Sequence, residues 1–266
     1  MMPLATSRRM AERRQKSYLS GDFPFMHSFP GMSTPLKPVL LIAHREESDP
    51  GRVGQRIRAR GHAIDIRRPC IGEELPQTLE NHAGVVVFGG RMSANDSDDF
   101  IKREIDWLEV PLREATPFFG ICLGAQMLAR HLGAPVTKHP EGFVERGYYP
   151  LYATDAGRAV ADWPEQVHHF HNEGFDLPSG ATLLARGDAF PNQAFVYGPA
   201  AYGVQFHPEL TLAMVHRWTT RGGDRLAEPG AQNRRAHLDG RFLYDHQTGH
   251  WLDQFLDRWL GAATKP

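Results

Sequence analysis

Ten residues constrain this chain more than any others: Pro-Phe-Phe-Gly-Ile-Cys-Leu-Gly-Ala-Gln at 117–126. Residues 117–121 form the kind of short apolar run that makes a buried strand, and residues 123–132 have the composition of a helix. Cys122 stands at the joint, with Gly120 and Gly124 two residues away on either side. This is the strand–nucleophile–helix elbow, with Cys where the hydrolase version has Ser. The elbow holds its central residue in a strained backbone conformation, so close neighbours have to be small. It aims the sulfur at a helix N-terminus, whose partial positive charge favours thiolate over thiol. The Leu123 N–H is then free to donate to an oxyanion. The same stretch also suits an inert buried cysteine at a tight turn, and only a base elsewhere in the chain decides between the two.

The segments before the elbow alternate. Residues 39–43 read as a central strand, 50–60 as a helix, 63–66 and 83–88 as strands, and 98–114 as one helix. Strands alternating with helices imply a parallel sheet. After Gly133 the runs become short and are separated by Gly, Pro, Asn and Asp, which predicts several antiparallel strands. Helices return at 210–220, 231–242 and 250–260. The expectation is an α/β fold: a mainly parallel sheet flanked by helices, with an additional small antiparallel sheet, in a single domain over 38–262. Residues 1–37 read as a disordered N-terminal extension. Its cluster of Arg8, Arg9, Arg13, Arg14 and Lys16 also fits a targeting peptide or a nucleic-acid arm.

Composition narrows the partners. The formal net charge is −1, so nothing global favours nucleic acid. The apolar runs are far too short for a membrane span. Two cysteines, Cys70 and Cys122, make no disulfide framework and suit a reducing cytosol, where the protein is expected.

Three further stretches carry chemistry. Gly89-Gly90 follows a strand and precedes a helix, but lacks the spacing of a dinucleotide fingerprint, and there is no phosphate-loop Gly-Lys-Ser/Thr. The pair suits close approach of backbone to a ligand, which makes the Gly90 N–H a candidate second oxyanion donor; a plain turn is the alternative. Gly-Val-Gln-Phe-His-Pro-Glu at 203–209 reads as a strand ending in a histidine. His207 is placed to serve as a base and Glu209 to hold its tautomer, with Pro208 stiffening the joint. His168, His169 and His171 invite a zinc reading. Three histidines at that spacing on a strand do not share one face, and no HExxH or cysteine cluster supports them, so neither metal nor cofactor is expected.

Gly-Gly-Arg-Met-Ser-Ala-Asn-Asp at 89–96, Gly-Ile-Cys-Leu-Gly-Ala-Gln at 120–126 and Gly-Val-Gln-Phe-His-Pro-Glu at 203–209, in that order, strongly resemble the class I glutamine amidotransferase family. The similarity is greatest to stand-alone members related to the glutaminase domain of GMP synthetase, and covers about residues 38–220. The resemblance implies a flavodoxin-like sheet, with Cys122 as nucleophile, His207 as base and Glu209 as orienting acid. It implies Gly90 and Leu123 as oxyanion donors, and Gly89, Gln126 and His171 in the glutamine pocket. The implied reaction turns glutamine and water into glutamate and ammonia through a thioester. Only about 55 residues follow Leu210, too few for a synthetase domain, so the expectation is either a separate ammonia-accepting synthetase subunit or a reaction in which ammonia is not the product that matters. Two departures stand out: Arg91 where relatives carry proline, and Phe170 where they carry tryptophan. Two rival readings remain, a γ-glutamyl peptidase or hydrolase using the same triad, and a non-catalytic regulatory or binding subunit.

Overall fold

In a computed structural model, residues 35–262 are described. The extension expected over 1–37 lies almost wholly outside them. The strands are β1 (Val39–Ile42), β2 (Ile64–Arg67), β3 (Gly84–Val87), β4 (Phe118–Ile121), β5 (Val136–Lys138), β6 (Glu145–Pro150), β7 (Tyr152–Ala153), β8 (Gln166–His171), β9 (Glu173–Phe175), β10 (Thr182–Arg186), β11 (Ala194–Tyr197) and β12 (Ala201–Val204). The α-helices are α1 (Gly51–Ala59), α2 (Asp99–Trp107), α3 (Glu109–Arg113), α4 (Leu123–His131), α5 (Asp155–Arg158), α6 (Leu212–Arg221) and α7 (Arg234–Ala262).

Eight strands form the main sheet in the order β2-β1-β3-β4-β12-β11-β10-β7. The first five are parallel, and β11, β10 and β7 extend the sheet antiparallel. The pairs β5–β9 and β6–β8 make two small antiparallel sheets. The central strands read as unbroken apolar runs because both of their faces are covered. Side chains alternate across the sheet. Val39, Leu41, Val86 and Phe119 therefore pack against Val53 and Ile57 of α1 and Trp251 and Phe255 of α7. Leu40, Ile42, Val85 and Phe118 pack on the other side against Ile101 of α2 and Met127 and Leu128 of α4.

The structure departs from the sequence reading at two helices. The single helix expected over 98–114 is two, broken at Leu108. Pro111 explains the break: it has no N–H to donate to the Trp107 carbonyl, and its ring would press on that carbonyl in a continuous helix. The two helices expected over 231–242 and 250–260 are one, α7. Gly240 there accommodates a neighbour, since a Cβ on it would come within 2.4 Å of the Tyr148 ring. A strand not expected, β9, follows directly on β8. Among the described residues no helix is long and apolar enough to cross a membrane.

Candidate active site

The elbow is built as the glycine spacing requires. Cys122 has φ 51° and ψ −105°, in the left-handed half of φ space that non-glycine residues rarely adopt. A Cβ on Gly120 would lie 2.7 Å from the Gly124 carbonyl oxygen, and one on Gly124 would lie 2.2 Å from that of Val87. Neither position has room for a side chain. Leu123 opens α4, so its N–H is one of the helix's unpartnered first donors.

The catalytic candidates come from neighbouring strands. β4 lies between β3 and β12, all three parallel, so the loops that leave their C-terminal ends share one edge. That edge is where open parallel sheets bind ligands. Cys122 follows β4, and its N–H donates to the Val204 carbonyl at 2.8 Å. Gly89 and Gly90 follow β3. A Cβ placed on Gly89 would sit 3.0 Å from His207 Cε1 and 3.4 Å from Cys122 Cβ, so both side chains close around this glycine.

His207 and Glu209 are held from several directions. The His207 N–H donates to the His168 carbonyl at 2.9 Å, and the Arg52 N–H donates to the Glu209 carbonyl at 2.9 Å. Trp218 meets the His207 ring edge-on, with centroids 4.9 Å apart. His207 Nδ1 lies 2.8 Å from Glu209 Oε1, and both side chains are about 5 % exposed. The other ring nitrogen, Nε2, is buried without a hydrogen-bond partner in the protein. Burial favours neutral His207, but the charges of Glu209 and Cys122 outweigh it and raise its pKa to about 10. His207 is therefore held in its protonated form at neutral pH.

The proposed pocket residues sit further back. Gln126 donates from Nε2 to the Glu173 carbonyl at 2.8 Å, and His171 Nδ1 lies 2.9 Å from the same oxygen. Both fix the backbone at the start of β9. A cavity of about 140 Å³ is lined by Gly89, Gly90, His207 and Glu209, whereas Cys122, Leu123, Gln126 and His171 lie outside its lining.

The histidine run divides as the strand period demands. His168 faces one way and lies 3.0 Å from His237. His169 and His171 face the other, toward Glu145, which β6 places opposite His171. One donor atom from each of Glu145, His169 and His171 lies within 4.8 Å of the others, a buried set that could hold a metal ion. The sequence reading, which expected no metal, had not found the carboxylate that completes this set. Burial would raise the Glu145 pKa, but the charges of His169 and His171 and hydrogen bonds from His171 and Gln193 hold it at about 2. Burial pushes His169 down to about 3.

Because Glu145 titrates below its ordinary value of 4.5, it stabilises the fold above that pH, and the contribution is lost as pH falls toward 2. Glu145→Gln should therefore lower stability at pH 7 and flatten the acid limb of a denaturation series between about pH 5 and 2. An unchanged acid limb in the variant would show that Glu145 does not carry this term.

Sequence reasoning missed a second buried pair. His44 Nε2 lies 2.9 Å from Glu104 Oε1, with both side chains fully buried. His44 Nδ1 faces the Gly89 carbonyl at 3.3 Å, and its Cβ lies 3.2 Å from where a Gly90 Cβ would be. Burial opposes the charged form of His44, but Glu104 outweighs it and raises the pKa. The pair thus braces the glycine loop from below. Its position just after β1, on the edge where ligands bind, was the available signal.

Residues 51–217 match the family model for class-I glutamine amidotransferase. The chain is 32% identical to the glutamine amidotransferase-like protein YfeJ of Salmonella typhimurium, over 82% of this chain and 95% of that protein. It is 31% identical to a subunit of the glutamine-hydrolysing GMP synthase of Thermoplasma volcanium, over 50% of this chain and 65% of that protein. Among solved structures, a glutamine amidotransferase from Thermotoga maritima superposes with a TM-score of 0.76 at 31% identity, covering 86% of this chain and 99% of that one. The chain belongs to the class-I glutamine amidotransferase family.

Proposed function

We propose that the chain hydrolyses the side-chain amide of glutamine through a Cys122–His207–Glu209 triad and a thioester intermediate. The observation that carries this reading is the buried 2.8 Å contact of His207 with Glu209, beside a cysteine held at positive φ on a helix N-terminus. The Cys122 thiolate attacks the amide carbon, and the Leu123 and Gly90 N–H groups stabilise the oxyanion. The C–N bond breaks as His207 gives its proton to the nitrogen, releasing ammonia. A water then loses a proton to His207 and attacks the thioester. The C–S bond breaks, glutamate leaves and the thiolate returns. Glu209 stabilises imidazolium throughout, and the His44–Glu104 pair holds the glycine loop in place. Gly89, Gln126 and His171 shape the glutamine end of the site.

Two partners follow from this reading. Glutamine is the substrate, and a separate synthetase subunit takes the ammonia, as the name of the Thermoplasma volcanium relative suggests. The free thiols Cys70 and Cys122 fit a reducing cytosol. Purified protein incubated with glutamine should release glutamate and ammonia in equal amounts. Absence of both, in folded protein supplied with any acceptor subunit encoded beside it, would count against the reading.

A further inference from the structure

Two of the three histidines on β8 meet a carboxylate across their small sheet. The strand period puts His169 and His171 on one face and His168 on the other. The antiparallel register sets Glu145 of β6 opposite His171. His169 Nδ1 lies 3.1 Å from His171 Nε2 and 3.6 Å from Glu145 Oε2, and His171 Nε2 lies 3.0 Å from the same oxygen. Tetrahedral zinc, with bonds of about 2.0–2.1 Å to each ligand, spaces its donor atoms about 3.3 Å apart. The sides of this triangle bracket that spacing.

Hydrogen bonding leaves the triangle short of protons. His171 Nδ1 faces the Glu173 carbonyl at 2.9 Å, and a carbonyl only accepts, so a ring proton sits there. In the neutral ring Nε2 is then a lone pair, and it faces a carboxylate oxygen that also only accepts. His169 Nδ1 can supply one proton, enough for one side of the triangle. A cation at the centre satisfies all three atoms at once. His169 Nε2 has no hydrogen-bond partner among the described residues, so nothing ties the ring proton to Nδ1, and the Nδ1 lone pair is available. The surroundings complete the pattern. The His171–Glu173 contact fixes the tautomer that presents Nε2, and Gln193 Nε2 donates to Glu145 Oε2 at 2.9 Å. Such outer partners orient metal-binding histidines and carboxylates. Glu145, His169, His171 and Gln193 are at most 4 % exposed. The rings of Tyr149 and Phe190 pack edge-on against His169 and His171, with centroids 5.9 and 4.9 Å away, and keep the cluster dry.

We propose that Glu145 Oε2, His169 Nδ1 and His171 Nε2 bind a zinc ion that ties β6 to β8. Two imidazoles and a carboxylate are a donor set suited to zinc, and a water completes the tetrahedron. The ion enters as the chain folds, because its ligands come together only across the finished sheet and are buried there. Through His171 it also holds the Glu173 carbonyl, to which Gln126 of the elbow helix donates at 2.8 Å. The metal thus fixes the start of β9 against α4, behind the glutamine end of the candidate active site.

The test needs no turnover, so it stands apart from the glutaminase reading. Full-length Cys122→Ala protein, which lacks the active-site thiol as a rival ligand, is expressed with zinc in the medium and desalted. It should carry one zinc per chain. X-ray absorption at the zinc edge should show imidazole and oxygen neighbours at about 2.0–2.1 Å and no sulfur. Melted with excess zinc, the protein should unfold roughly 5–10 °C above its melting point in excess chelator, the shift expected at about 100 times the Kd. Adding His169→Gln, which removes one ligand and leaves the Glu145–His171 contact, should abolish both the retained zinc and the shift. Zinc-free protein, sulfur in the metal's coordination shell, or full zinc occupancy in the His169→Gln variant overturns the proposal. The absorption spectrum decides even where that variant fails to fold.

Discussion

Replacing Cys122 by alanine is expected to cut turnover by on the order of 10⁴-fold or more, with the fold and substrate binding retained. The sulfur is the atom that bonds to the substrate, and nothing near it can take its place. Cys70 is half-buried after β2, and burial pushes its thiol pKa up, which favours the unreactive form. Alanine keeps the Cβ and so imposes no new demand on the positive-φ backbone at this position. Melting temperature should therefore move little, which separates lost chemistry from lost structure. Glutamate release measured beside a thermal melt makes the comparison. A variant that keeps substantial activity would remove the nucleophile from the mechanism.

His207→Ala should be nearly as damaging, because it removes both the acid for the leaving nitrogen and the base for the water. Glu209→Gln should be milder. The amide still accepts from His207 Nδ1, and α4 still favours thiolate, but the charge that stabilises imidazolium is gone. The pH profile carries a distinct signature. With His207 raised to about 10, activity should hold into alkaline solution and fall as the imidazolium loses its proton near that value. Glu209→Gln should shift that fall to lower pH, since the first charge opposing the cost of burial has been removed. Triad members act as a unit, so the double change His207→Ala with Glu209→Gln should cost little more than His207→Ala alone. Additive losses would mean that Glu209 acts apart from His207.

The elbow was legible because its logic is local. Gly120 and Gly124 stand where only glycine fits, and their spacing around Cys122 is visible in five residues. The parallel half of the sheet was legible for a related reason: strands covered on both faces must be apolar throughout. What was not legible depends on residues distant in sequence. Glu145 meets His171 only through the antiparallel register of β6 and β8, which no periodicity announces. Glu104 reads as one more charge on a surface helix, yet α2 turns it inward to His44. The C-terminal helix reads in the sequence as two segments, 231–242 and 250–260, yet α7 runs through both. At Gly240, the Tyr148 ring occupies the space a side chain would need. Arg91 of the glycine loop and Arg217 of α6 lie more than a hundred residues apart, and only the fold shows that they line one cavity.

The central claim is a covalent glutamyl enzyme at Cys122, and the most direct measurement is an acid quench during turnover. Native protein mixed with glutamine or γ-glutamylglutamate, quenched within one turnover, should gain the mass of one glutamyl group, mapped by peptide digestion to the segment containing Cys122. The adduct should be labile to hydroxylamine, as a thioester is, and absent from Cys122→Ala. Full turnover with no adduct at any quench time in Glu209→Gln, where breakdown is slowed, or an adduct on any other residue, would contradict the account.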